Sequence, residues 1–219
     1  MARRAGHPRP PRPRVGPRGD DARLADLRDG GGINESLWFV SRATGVVSIV
    51  LLTLVLVLGL VTAGARRPRG DASTVVMGLH RALSLGMSVF LLAHIGTAIV
   101  ETYVDIGWLS AVVPFSSGYA PVLVGLGTLA FDVLLAVIVT SALRHRLRER
   151  TWRRVHLLSY ALWPLAIIHG IGLGTADEPL LRGVTVACGA VGLAAIIWRR
   201  VTTDSHEDRR KQIAAQEWS

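Results

Sequence analysis

The sequence predicts an all-α fold, an integral membrane helical bundle of about five transmembrane helices, on three observations. Half of its 219 residues are hydrophobic and its mean hydropathy is +0.38, too apolar for an ordinary soluble domain of this length. The apolar residues come in runs of about 20, enough to cross a hydrocarbon core of about 30 Å. Arginine supplies nearly all of the +9 formal charge, Lys211 being the only lysine, and it gathers in tails and short loops between the runs, where topology-setting charge belongs. In lipid each segment must satisfy its own backbone polar groups, so the runs are helices.

Residues 1–35 are rich in Arg, Pro, Gly and Asp, without apolar periodicity, and are expected to form a disordered tail. Arg3-Arg4 is followed by proline-rich sequence rather than an apolar signal core, so it does not read as an export signal. Residues 36–199 form the membrane domain, with spans at about 42–64, 75–100, 121–143, 153–173 and 180–198. Residues 200–219 form a short polar C-terminal tail. Gly78, Gly86, Gly96, Gly125, Gly127, Gly189 and Gly192 allow close helix approach or leave room for a flat ligand.

The loop after the first span carries Arg66, Arg67 and Arg69, and the loop after the third carries Arg144, Arg146, Arg148, Arg150, Arg153 and Arg154. Arg199, Arg200, Arg209, Arg210 and Lys211 follow the fifth, whereas the loop at 101–120 has no Lys or Arg. A multi-pass protein of the cell membrane is expected, with its C-terminus cytoplasmic and its N-terminus outside. The eight arginines between Arg3 and Arg28 run against that N-terminal placement, and the three internal signals outweigh them because they agree. Clustering between apolar spans also favours lipid head groups over nucleic acid as partners of this charge.

Four histidines lie inside apolar runs, where an ionisable residue is costly and marks a candidate site. His80 and His94 are 14 residues apart and His156 and His169 are 13 apart, so each pair spans about 20 Å along its helix. The second and fourth spans run in the same direction, which places first members opposite each other and second members likewise. Two bis-imidazole sites at two depths suit two haems passing an electron across the membrane. His7, His145 and His206 lie in polar segments and read as solvated. A lone membrane histidine more often makes an interhelical hydrogen bond, but four in matched pairs resist that explanation.

Zinc is disfavoured. One helix supplies two ligands to one metal at i,i+3 or i,i+4, and no Cys or carboxylate lies nearby in the spans. Cys188 is the only cysteine and Cys-x-x-Cys-His is absent, which excludes covalent haem attachment and an intrachain disulfide. A proton relay stays open through Asp132, the one carboxylate deep in a span. On an ideal helix His80 and His94 come within about 40° of one face, whereas His156 and His169 diverge by about 140°. Pro164 predicts a kink near Trp163-Pro164 that re-aims His169. Each ligating imidazole should donate its other N–H to a carbonyl or hydroxyl. Arg42 outside, and Arg81, Arg153 and Arg154 inside, could meet anionic propionates, their ordinary role being to snorkel to head groups.

LHRALSLGMSVFLLAHIGTAIV and RRVHLLSYALWPLAIIHGIG, with SRATG at 41–45, resemble the ferric-reductase-type transmembrane domain over about residues 37–173. That superfamily includes eukaryotic ferric reductases, the membrane halves of NADPH oxidases, and the haem-bearing membrane subunit of a bacterial periplasmic methionine sulfoxide reductase system. The resemblance implies two non-covalent bis-His b-type haems, an inner one between His80 and His156 and an outer one between His94 and His169. It also implies an external N-terminus and a missing first span. The polar tail is too short for a flavin or nicotinamide domain, and the glycines of HGIGLGTADE make a poor dinucleotide fingerprint. No flavin or NAD site is therefore expected in this chain. The donor would be a cytoplasmic flavin reductase or membrane quinol, and the acceptor an external molecule or a periplasmic or extracellular protein. The loop at 101–120 could cap the outer site, or simply lie at the interface. Two rivals remain: an anchor and conduit subunit of a soluble oxidoreductase, and a haem-free transporter or structural protein.

Overall fold

The computed structural model describes residues 19–63, 70–101, 106–174 and 178–217, with side chains over 32–63, 70–101, 106–174 and 178–202. Six α-helices follow in order: α1 (Gly19–Thr62), α2 (Asp71–Val100), α3 (Pro121–Ala142), α4 (Glu149–Leu157), α5 (Ser159–Leu173) and α6 (Pro179–Glu217). Short 3₁₀ turns occupy Trp108–Ala111 and Arg144–Arg146. Among the described residues, five stretches are long and apolar enough to cross a bilayer: Gly32–Thr62, Asp71–Val100, Pro121–Ala142, Glu149–Leu173 and Pro179–Thr202. No strand occurs among the described residues. The expected N-terminal tail falls outside the described residues over 1–18, and α1 already begins at Gly19.

α1 is the axis of the bundle. Ile49, Leu52, Leu56 and Leu60 recur at helical spacing and are buried. They meet Met87 of α2, Ala130 and Leu134 of α3, and Leu162, Trp163 and Ile167 of α5. α1 packs against α2, α5 and α6, and α5 packs against α3 and α6. α2 and α5 share no extensive backbone contact among the described residues. A gap thus opens between the two histidine-bearing helices, spanned by side chains rather than closed by packing.

Small residues let the remaining helices approach, as they must where lipid supplies no hydrophobic drive between them. A Cβ on Gly192 of α6 would fall 2.1 Å from the Trp163 ring. Trp163 then donates its Nε1–H to Thr53 Oγ1 at 3.1 Å, satisfying a buried indole. Outward faces carry Val75, Leu85, Val89, Leu92, Val122, Leu180 and Val191, all exposed, which is stable only where the surrounding solvent is hydrocarbon.

The fourth span departs from expectation. The interruption falls at Leu158, between α4 and α5, and helix runs unbroken through Pro164. Leu158 N–H donates to Val155 O and Ala161 N–H to Leu158 O, both three-residue bonds, at 3.0 and 2.9 Å. Ser159 Oγ–H takes the His156 carbonyl at 2.6 Å. These tighten the turn towards 3₁₀ geometry, which advances about 120° per residue instead of about 100°. The extra rotation moves His156 and His169 towards a common face. Pro164 has no N–H to donate to the fourth residue back, yet α5 continues as helix through it.

A candidate cofactor cavity between paired histidines

His94 of α2 and His169 of α5 face each other across the gap, their ring centroids 6.3 Å apart and their planes 84° to one another. Both rings are held from behind by backbone. His94 Nδ1 lies 2.7 Å from Ser41 O, and His169 Nδ1 lies 2.8 Å from Leu123 O. A carbonyl only accepts, so each Nδ1 carries the hydrogen, and in a neutral ring the lone pair sits on Nε2. That tautomer is the one a metal-ligating imidazole needs.

Two glycines make room for the rings. A Cβ on Gly45 of α1 would come within 2.9 Å of His94 Nδ1, and one on Gly127 of α3 within 2.6 Å of His169 Cε1 and Nδ1. Gly45 belongs to the SRATG segment, whose Ser41 supplies the carbonyl one turn earlier. α1 and α3 therefore fix imidazoles that α2 and α5 carry.

The histidines line a cavity of about 250 Å³, far more than the roughly 10–15 Å³ that admits one water. Its walls are mainly apolar, including Leu52, Met87, Leu91, Phe131, Leu162 and Ala166. Polar groups gather at one end: Arg42, Glu101, Tyr119, Glu178 and Arg182. Arg42 lies 4.3 Å over the Trp38 ring and donates from Nη1 to Leu173 O at 3.0 Å. The loop before α3 contributes Ile106, Ser110 and Ala111. It is pinned where Thr128 Oγ1–H donates to Ser110 O at 2.5 Å.

The residues fit a bis-imidazole haem. Two ring nitrogens, each about 2 Å from a shared metal, with rings extending back from them, put centroids about 6 Å apart, as observed. A mainly apolar gap lined also by Arg42 and Arg182 suits a porphyrin and its propionates. Among the described residues no cluster of three His, Cys, Asp or Glu forms, so each site offers two donors from protein.

His80 and His156 occupy the other end of the bundle. The two rings lie within electrostatic reach of each other, and His80 approaches the Val55 carbonyl of α1. His156 stacks on Trp152 at 5.0 Å, and Arg144 lies 4.4 Å over the other partner of that stack, the Trp152 ring. His156 Nδ1 and Trp152 Nε1 are buried without a partner among the described residues. Two adjacent buried ring nitrogens left unmatched mark a place where a further group is wanted. Neither His80 nor His156 lines the cavity of His94 and His169. Of the arginines expected near this pair, Arg81 and Arg154 are exposed, and Arg153 pairs with Glu149 at 2.6 Å on the surface.

Sequence reasoning missed the Ser41 and Leu123 carbonyls, the Arg144–Trp152–His156 stack and the burial of Glu101. The one available signal was Trp152 four residues before His156, a helical i,i+4 pair.

A family model described as a ferric reductase like transmembrane component matches residues 44–167, more than half of the chain. The matched stretch contains His80, His94 and His156 and stops two residues short of His169. No curated protein and no solved structure matches the chain.

Proposed function

From the chain's membership of the ferric reductase like transmembrane family, we propose that it is a b-type dihaem membrane protein that carries electrons across the bilayer. The donor is a flavin reductase or quinol on the Arg-rich side, and the acceptor lies on the side of the 101–120 loop. The observation that carries this reading is the approach of His94 and His169 across an apolar cavity, with both Nδ1 atoms committed to backbone carbonyls.

His94 and His169 would hold the outer haem, and His80 and His156 the inner one. When bound, haem iron supplies one-electron chemistry between its ferric and ferrous states, at a potential tuned by ligands and surroundings. The chain's own contributions are ligation, orientation and dielectric. Ser41 O and Leu123 O fix ring orientation and raise imidazole basicity. The Leu52, Met87, Leu91 and Phe131 walls exclude water and keep the local dielectric low. Arg42 supplies positive charge at the polar end, countering propionates and favouring the electron's arrival. At the other end Arg144, held over Trp152, and the arginines of α4 face the donor side, where they suit an acidic protein or anionic lipid.

The test is a dithionite-reduced minus oxidised spectrum of purified protein with haem quantification, after expression with ample haem. About two haems per chain are expected, and His94→Ala loses one. Protein without a Soret band would overturn the proposal and favour a haem-free membrane protein.

A further inference from the structure

Glu101 is a buried carboxylate that ligation does not use. It caps the C-terminus of α2, its N–H donating to Thr97 O at 3.0 Å, and the chain then leaves the helix at ψ 137°. Its residue exposure is 8%, and its Oε1 is buried with no partner among the described residues. It follows His94 by seven residues, which on a helix is about 20° short of two full turns and about 10 Å of rise. Glu101 therefore lies on His94's own face, two turns further out, and it lines the same cavity as His94 and His169.

The charged and titratable groups facing it come from every neighbouring element. α1 presents Arg42, the loop before α3 presents Tyr119, the residue before α6 is Glu178, α6 presents Arg182, and α2 and α5 present His94 and His169. No ion pair joins Arg42 to Glu101; Arg42 spends Nη1 on Leu173 O and leaves its own Nε buried without a partner. A carboxyl buried beside a cation yet not locked to it is free to change protonation when the charge in the cavity changes. Burial also pushes the Glu101 carboxyl above the usual carboxylate range, with the Arg42 charge opposing, so it holds a proton at higher pH than an exposed glutamate.

We propose that Glu101 is the proton acceptor of the outer site, its carboxylate taking one proton from external water when one electron enters the cavity. The inference rests on the haem-bearing reading above. One negative charge arrives, from reduced flavin or quinol through the inner site, and one positive charge arrives with the proton, forming an O–H bond on Glu101. When an external oxidant removes the electron, Glu101 returns the proton to water, so charge and atoms balance. Proton uptake on reduction makes the outer site easier to reduce at low pH.

The experiment is a spectroelectrochemical titration of full-length haem-loaded protein in nanodiscs between about pH 6 and about pH 8. The outer component is identified as the one lost in His94→Ala. Its midpoint potential should fall as pH rises, by up to about 59 mV per unit, the one-electron equivalent of tenfold in proton activity. Glu101→Gln should flatten that slope with the Soret spectrum unchanged, and Glu178→Gln should keep it. A flat wild-type profile, a slope that survives Glu101→Gln, or one that vanishes in Glu178→Gln would overturn the proposal. Should Glu101→Gln fail to fold, infrared difference spectra of wild type decide: a protonated-carboxyl band grows on reduction, and its absence counts against Glu101. Loss of all haem signal would instead refute the haem reading, whereas haem with a pH-independent potential refutes only this inference.

Discussion

His94 and His169 owe their aim to groups with no redox chemistry of their own: two carbonyl oxygens and two missing side chains. Gly127→Ala would place a methyl 2.6 Å from the His169 ring, an overpacking that typically costs about 1–3 kcal/mol. The ring must yield, so haem quantification should show the outer haem lost while the inner one stays. Ser41→Ala makes the opposite case. The Ser41 hydroxyl is 3.4 Å from Nδ1, too long to matter, while the carbonyl at 2.7 Å is untouched by the substitution; both haems should be retained. The histidines were legible in the sequence because an imidazole inside an apolar run stands out. Their carbonyl partners were not, since every residue owns a carbonyl and only the packing of α1 and α3 selects which one is used. Glu101 was hidden for a related reason: at a helix end it reads as the first residue of a polar loop, and burial there is a tertiary fact.

Among the elements, the fourth span teaches most. Its bounds, like those of the other four, followed from apolar length, and the observed helices begin or end within a few residues of the expected positions for α2, α3 and α5. Its internal geometry did not follow. Proline is the familiar cause of a kink, yet the break lies at Leu158, where Val155, Ser159 and Ala161 make the three-residue bonds. Pro164→Ala should therefore leave both haems in place and the reduced spectrum unchanged. Loss of the outer haem in that variant would return the re-aiming role to proline. Ser159→Ala removes the hydroxyl that takes the His156 carbonyl, and should shift the inner haem's spectrum more than the outer's.

At the scale of the whole molecule, separation of α2 from α5 is the property that makes a site. α1 touches both, α3 and α6 close the flanks, and the gap left between the histidine helices is the cavity. From the sequence, first members are expected to pair with first and second with second, because parity of spans sets direction; the ring geometry of His94 and His169 is the part of that pairing seen directly. The sequence did not carry the difference between the open cavity at His94 and His169 and the other end, where Trp152 lies against His156 and Arg144 over Trp152. Arginine placement also predicts sidedness. In a Cys188→Ala background, a cysteine at Ser219 should react with a membrane-impermeant maleimide only after cells are opened, and one at Ser116 should react in intact cells; the reverse pattern would invert the electron's direction. The central claim, four imidazoles gripping two irons, is tested most directly by low-temperature electron paramagnetic resonance of the oxidised protein. Low-spin ferric signals from bis-imidazole haems are expected, the outer one strongly anisotropic because its two rings stand 84° apart, and absent from His169→Ala, which loses that haem as His94→Ala does. A wild-type spectrum with only high-spin iron, or the same low-spin signals after His169→Ala, would contradict it.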